Sequence, residues 1–396
     1  MAPEQRRIRA AWWGTIVLFL VHGLVFSTWV SRIPAVQAQL RLNNGILGLT
    51  LLSSAIGAVS TIPLAGWLVT RYGSKRISIA GGILFSLSIV PMALAINAAT
   101  LALALLFYGS TAATMDVAMN AHGVEVEKAL GTSTMSRFHA LFSAGGMGGA
   151  AIGGMVAESG IGPLRHFAIS AGINMIAVLL VSRLLLQFQA PATVRTGGLS
   201  FRKMPAVLIA LSAIAFCSLL AEGAMADWTT VYFRQVLQAG PGIAAFAYAL
   251  FSAIMALFRF IGDWVIARLG PRLALQSACL LAAAGLLWGL LMRTPSWALP
   301  GFAVTGAGFS IIIPIVYGSG GRIEGVSPGA GIATVTGIGY IGFIVGPPAI
   351  GFASQMFTLR YALLIVVGCC VTGALLSRAI RPTPRLEVAA TSEIHL

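Results

Sequence analysis

Twelve apolar runs, each long enough to cross a bilayer, divide this sequence and leave little room for anything else. They lie at about 12–33, 45–69, 77–96, 100–122, 134–157, 164–186, 205–232, 242–266, 272–292, 298–319, 329–353 and 359–380. A helix rises about 1.5 Å per residue, so roughly 20 apolar residues span the hydrocarbon core. Runs of this length fit helices, not the strands of roughly 10 residues that build membrane barrels. Hydrophobic residues make up 58% of the chain and charged residues only 9%. A soluble domain carries about 25% charged residues. The expectation is an all-α integral membrane protein with 12 transmembrane helices and no inserted soluble domain.

The formal charge of +14 could suggest a nucleic-acid partner, but the basic residues sit in short clusters between the apolar runs. With both termini cytoplasmic, eighteen Lys and Arg fall on inside segments, six on outside ends and Arg259 within a helix. That bias is the positive-inside pattern and excludes a nucleic-acid surface. The first run is longer than a signal-peptide core and has no clear cleavage site, so it is expected to remain as the first helix. Cys217, Cys279, Cys369 and Cys370 all lie in apolar runs and are expected to pack, with no metal-ligand spacing.

The longest interior polar connection, Gln187–Lys203, separates six runs from six. It predicts a bundle over 1–186, a flexible cytoplasmic linker over 187–204 and a second bundle over 205–396 with a short cytoplasmic tail. The two halves repeat at a separation of 197 residues: Gly73 falls on Gly270, Gly109 on Gly306, Gly123 on Gly320 and Glu127 on Glu324. Gly145, Gly149 and Gly154 likewise fall on Gly342, Gly346 and Gly351. Two six-helix halves of like topology form the parallel-repeat arrangement of one class of transporters.

Gly66-Trp-Leu-Val-Thr-Arg71-Tyr-Gly73-Ser-Lys75-Arg76 resembles the cytoplasmic signature loop of the major facilitator superfamily. Thr70 stands where that signature carries an acid. In the second half Arg259, Asp263, Arg268, Gly270 and Arg272 make a related loop, with the acid one turn early. The stretches FSTWVSRIPAVQ at 26–37, MDVAMNAHGVEVE at 115–127, RFHALFSAGG at 137–146 and EGAMADWTTVYFR at 222–234 resemble the YbjJ-like branch of bacterial inner-membrane facilitators, near the fucose-permease type. The resemblance implies a major facilitator fold of two pseudo-symmetric bundles around a central cavity lined by spans 1, 4, 7 and 10. It also implies secondary transport by alternating access, with no cofactor and no enzymatic activity.

Ionisable residues inside a membrane normally face protein or a water-filled cavity. Asp116 and Asn120 lie four residues apart on span 4, His22 is midway along span 1, and Glu222 lies on span 7. Asp116, Glu222 and His22 are the candidates for proton coupling, because such a group takes up and releases protons as the cavity faces one side or the other. Asn120, Trp29, Asp227, Trp228, Tyr317 and Arg32 are the candidates for the substrate cavity. His122 and His139 are expected at helix ends, away from substrate. The cytoplasmic gate is expected from Gly66, Arg71, Gly73, Lys75, Arg76, Glu127 and Arg137, with Arg259, Asp263, Arg268, Gly270, Arg272 and Glu324 opposite.

The favoured function is proton-coupled symport of a sugar-like or other neutral polar solute across the bacterial inner membrane by a monomer. No basic residue other than Arg32, at the outer end, is seen near the cavity. A proton-coupled drug or cation antiporter is the alternative, and a channel or lipid flippase the alternative of a different class. No HExxH or GxSxG stretch points to an enzyme.

Overall fold

The computed structural model describes residues 3–132, 134–187 and 204–380. The expected linker 187–204 and the tail beyond 380 lie almost wholly outside the described residues. Those residues form fourteen α-helices: α1 Pro3–Gln39, α2 Asn44–Tyr72, α3 Ser74–Ser88, α4 Val90–Ala93, α5 Ala98–Leu130, α6 Met135–Glu158, α7 Pro163–Val181, α8 Ala206–Gln235, α9 Pro241–Leu291, α10 Pro295–Phe309, α11 Ile312–Gly320, α12 Pro328–Met356, α13 Leu359–Ala362 and α14 Leu364–Leu376. Successive crossings alternate between a terminal end, where residues 3 and 380 lie, and a far end.

Among the described residues eleven helices or helix pairs are long and apolar enough to cross a membrane, one fewer than the sequence predicts. The difference lies in α9, whose 51 residues are interrupted at Gly270, with φ 75° and ψ 158°. As one straight helix α9 would measure about 76 Å, more than twice the hydrocarbon thickness. Its two limbs match the expected runs 242–266 and 272–292. Gly73, which separates α2 from α3, has nearly the same conformation, φ 86° and ψ 152°. Both positions need the left-handed φ that glycine adopts without a Cβ penalty.

Local chemistry sets the other boundaries. Asn97 caps α5 reciprocally with Thr100, and Gly131 ends it in the αL conformation. The helix therefore runs about two turns beyond its apolar stretch and carries Glu125, Glu127 and Lys128. Pro314 lacks the N–H that would bond to Ser310, and the chain is broken there between α10 and α11. Side chains such as Leu180, Ile173, Phe260 and Leu291 are exposed on the outside of the bundle, as a lipid-facing surface requires.

Within the first half α1 packs on α6, and α5 on α2 and α3. In the second half α8 packs on α12, and α9 on α10. The paired glycines carry these contacts. A Cβ on Gly109 would overlap the Ser54 carbonyl, and one on Gly306 the Phe251 carbonyl, again 197 residues apart. Gly145 meets the backbone of Leu20, and Gly342 that of Phe216. Small residues let the backbones touch where apolar side chains would gain nothing over lipid. The four cysteines also meet, lining one small space between α8, α9 and α14.

The halves meet through α6 on α9, α2 on α12 and α1 on α8. At the far end Thr230 donates to the Val30 carbonyl at 3.1 Å and Gln235 donates to Gln37 Oε1 at 2.9 Å. Nearer the termini Ser252 donates to the Ser143 carbonyl at 3.5 Å. At the terminal end Arg71, Arg76, Arg137, Asp263, Arg268 and Glu324 are all exposed. Contacts between the halves close the far end, and the charged residues of the terminal end are open to solvent.

Candidate functional site

Asp116 sits about 27 Å along α5 from its far end, half-buried. Asn120, one turn on, donates to its carboxylate at 3.0 Å and to its carbonyl at 2.9 Å. That bond uses helical spacing alone and fixes the carboxylate on one face. The Asp116 charge acts on His22 of α1, on His139 of α6 and, across the gap, on Tyr340 of α12. It therefore faces the space between the halves and not lipid.

His22 is 7% exposed, with its ring between Phe85 and Phe142 at centroid distances of 4.8 and 5.5 Å. Its Nε2 donates to the Ala112 carbonyl at 3.3 Å, one turn before Asp116, while Nδ1 lacks a hydrogen-bond partner among the described residues. A buried ring nitrogen without a partner is costly, which marks His22 for water, a proton or a ligand.

Glu222 Oε1 lies 3.6 Å from Arg259 Nη2, and both side chains are 26% exposed. Arg259 Nη1 donates to Ser143 Oγ at 3.3 Å. This corrects the expected place of Arg259 at the cytoplasmic gate. Its partner is Glu222 of α8, not Asp263 one turn along its own helix, and its guanidinium reaches across to α6. The gap thus contains a basic residue that the sequence reading lacked. Asp227 is half-buried and makes no ion pair or hydrogen bond among the described residues. Its charge acts on the phenols of Tyr108 and Tyr248. Tyr317 lies beside Thr336.

Other expected cavity residues are used elsewhere. Trp228 is 0% exposed and Trp29 3%, with Trp29 packed on Phe167 at 6.4 Å between ring centroids. Both belong to the closed far end and form no accessible wall in this conformation. Arg32 is buried and donates to the Ile161 carbonyl beyond the end of α6. A cation there offsets the carbonyl end of that helix.

Several expected gate residues make contacts within their own half. Lys75 donates to the Leu185 carbonyl at 2.7 Å, just past α7. Glu127 accepts from the Thr134 and Met135 amides at 2.5 and 2.9 Å, capping α6. Arg268 lies over the Trp264 ring at 5.0 Å. A Cβ on Gly66 would touch nothing within 4 Å, so its role is not close packing. His122 is buried, with Ser74 Oγ at 3.1 Å from its Nδ1 and 2.5 Å from Glu125 Oε2.

The sequence reading missed Ser143, Thr336 and Tyr340, and set His139 aside as a helix-end residue away from substrate. His139 and Ser143 lie four apart just before the glycine run of α6, and Thr336 and Tyr340 occupy the same register in α12, 197 residues later. That repeat was the available signal. Among the described residues no three His, Cys, Asp or Glu side chains are arranged to hold a metal ion.

The sequence profile described as Major Facilitator Superfamily matches residues 12–322. An uncharacterized MFS-type transporter of Yersinia pestis is 32% identical over 366 residues, 92% of this chain and 94% of that protein. An uncharacterized transporter of Sinorhizobium fredii is 33% identical over 363 residues, covering 91% and 96%. Among solved structures, a mutant of the nucleoside transporter NupG superposes with a TM-score of 0.75 at 14% identity, covering 93% of this chain and 98% of that one.

Proposed function

The chain belongs to the major facilitator superfamily and is a multi-pass membrane transporter, and on that premise we propose that it moves a small polar solute by proton-coupled alternating access. The observation that carries the reading is the charge balance of the gap. Asp116, Glu222 and Asp227 all lie on membrane-spanning helices around the gap, and Arg259, the one guanidinium found there among the described residues, is paired with Glu222. Asp116 and Asp227 therefore await protons or a cation whenever the gap is closed to water. A charge left unbalanced in a membrane interior costs at least about 2.5 kcal/mol, so a cycle that closes the gap is coupled to what neutralises it.

Within the cycle Asp116 carries the exchangeable proton. Glu222 and Arg259 form a neutral pair that a polar substrate can separate, and Asn120, His139, Ser143, Tyr317 and Tyr340 supply hydrogen bonds. The likeness to the nucleoside transporter NupG, at 14% identity, is one of fold. A cationic solute exchanged for protons is the second reading, favoured by the two acids without counter-ions. We place the protein in the bacterial inner membrane with both termini cytoplasmic, as the basic clusters suggest, so the open terminal end faces inward. The two six-helix halves, 1–186 and 205–396, then rock against each other as a monomer, closing one end of the gap as the other opens.

The test is uptake into proteoliposomes under an imposed pH gradient, after a thermal-shift screen of sugars, nucleosides, amino acids and organic cations has identified a stabilising ligand. Gradient-driven accumulation by the wild type and its loss in Asp116→Asn is the expected result. Ohmic currents without saturation would overturn it.

A further inference from the structure

At the far end two glycine contacts between the halves repeat. Gly154 of α6 packs on Gly242 and Ala245 of α9, and Gly351 of α12 packs on Asn44 and Gly48 of α2. Gly154 and Gly351 are 197 residues apart, as are Gly48 and Ala245. One turn beyond each glycine comes the difference: Glu158 on α6, but Gln355 on α12.

The helices they meet differ in the complementary way. α2 is capped from within, since the Asn43 side chain accepts from the Ile46 amide at 2.9 Å. The equivalent residue before α9 is Gly240, which has no side chain to cap with. Glu158 Oε2 instead accepts from the Gly242 amide at 2.9 Å, across the boundary between the halves. The absence of a Cβ at Gly242 leaves room for this, because an added Cβ would lie 3.0 Å from the same carboxylate oxygen. A Cβ added at Gly45 would lie 3.3 Å from the Gln355 side chain, so that neutral amide packs beside a helix that needs no cap.

Glu158 is the last residue of its own helix, where a negative charge meets the negative end of the α6 dipole. Its placement is favourable only while the N-terminus of α9 is beside it. From these facts we propose that Glu158 is a cap supplied in trans, a latch that biases the protein toward the conformation closed at the far end. Opening that end uncaps α9 and leaves the Glu158 charge beside the negative end of its own helix, whereas the Gln355 contact opens without losing a cap. The far-side seal is therefore chemically one-sided although its packing is symmetric. This rests on alternating access but needs no knowledge of the substrate.

The experiment uses Thr230→Cys as reporter in a background with the four native cysteines replaced. Thr230 is fully buried between the halves at the far end, so a water-soluble maleimide labels it only when that end opens. Glu158→Ala should raise the labelling rate by about 2- to 30-fold, the range expected for losing a helix cap. Glu158→Gln keeps an acceptor and should fall between it and the parent. Asn43→Ala removes the equivalent cap within one half and should leave labelling unchanged. Equal rates in Glu158→Ala and the parent, or an equal rise in Asn43→Ala, would overturn the latch. Labelling in none of the variants would overturn the far-end opening itself, and the latch with it.

Discussion

Arg259 of α9 and Ser143 of α6 are joined by a 3.3 Å hydrogen bond across the two halves, and the same guanidinium pairs with Glu222 of α8. One cation thereby ties three helices at mid-membrane depth, at the place where the gap passes from closed to open. Any motion that separates α6 from α9 must break or re-form this triangle. A variant without the guanidinium tests its weight.

Arg259→Met leaves Glu222 without its counter-charge. Breaking a fully buried pair costs about 3–5 kcal/mol, and partial exposure reduces that here to about 1–3 kcal/mol. Restoring neutrality with Glu222→Gln in the same chain should recover some of the loss. The unfolding temperatures of the two single variants and the double variant in detergent form the cycle that measures it.

Asp116→Asn keeps the shape and the Asn120 contact while removing the charge. Uptake driven by a pH gradient should fall to background, while exchange of labelled for unlabelled substrate at equal pH should persist. Loss of both would assign Asp116 to substrate binding instead.

Gly109→Ala and Gly306→Ala each place a methyl group against a carbonyl oxygen of a neighbouring helix. Overpacking of this kind costs about 1–3 kcal/mol. Gly66→Ala, in open space within α2, should be neutral or stabilising by up to about 1 kcal/mol. Thermal unfolding of the three variants separates packing glycines from the signature glycine.

Gly73 and Gly270 hold equivalent left-handed conformations. With ψ of 152° and 158° both lie in a region essentially restricted to glycine, so alanine and asparagine alike should cost about 1–3 kcal/mol at either position. Similar losses at the two positions would establish that the repeat extends to backbone strain.

The spans, their order and the acids inside them were legible because hydropathy and charge are properties of single residues and of helical spacing. The 197-residue repeat was legible as glycines, yet its sharpest expression is a pair of contacts between different halves, Gly154 on Gly242 and Gly351 on Asn44. Arg259 was grouped with the second-half signature loop because it lies four residues before Asp263, whereas its ion-pair partner, Glu222, comes from α8, 37 residues earlier. Trp29 and Trp228 were read as cavity walls because a sequence gives depth along a helix but not which end of the gap is shut. His139 was set at a helix end and Ser143 overlooked because their significance appears only when α6 is laid beside α12.

The glycine seams also fix how the molecule can move. α6 touches the backbone of α1 at Gly145 and Gly149, then crosses to α9 at Gly154, so no compressible layer of side chains lies along it. From Gly154 to His139 is about 22 Å of helix. A tilt of about 10° about the far contact swings His139 by about 4 Å, roughly the distance that takes a pair of side chains out of contact. The helix behaves as a stiff lever with its fulcrum among three glycine contacts. Small rotations at one end become the full stroke at the other.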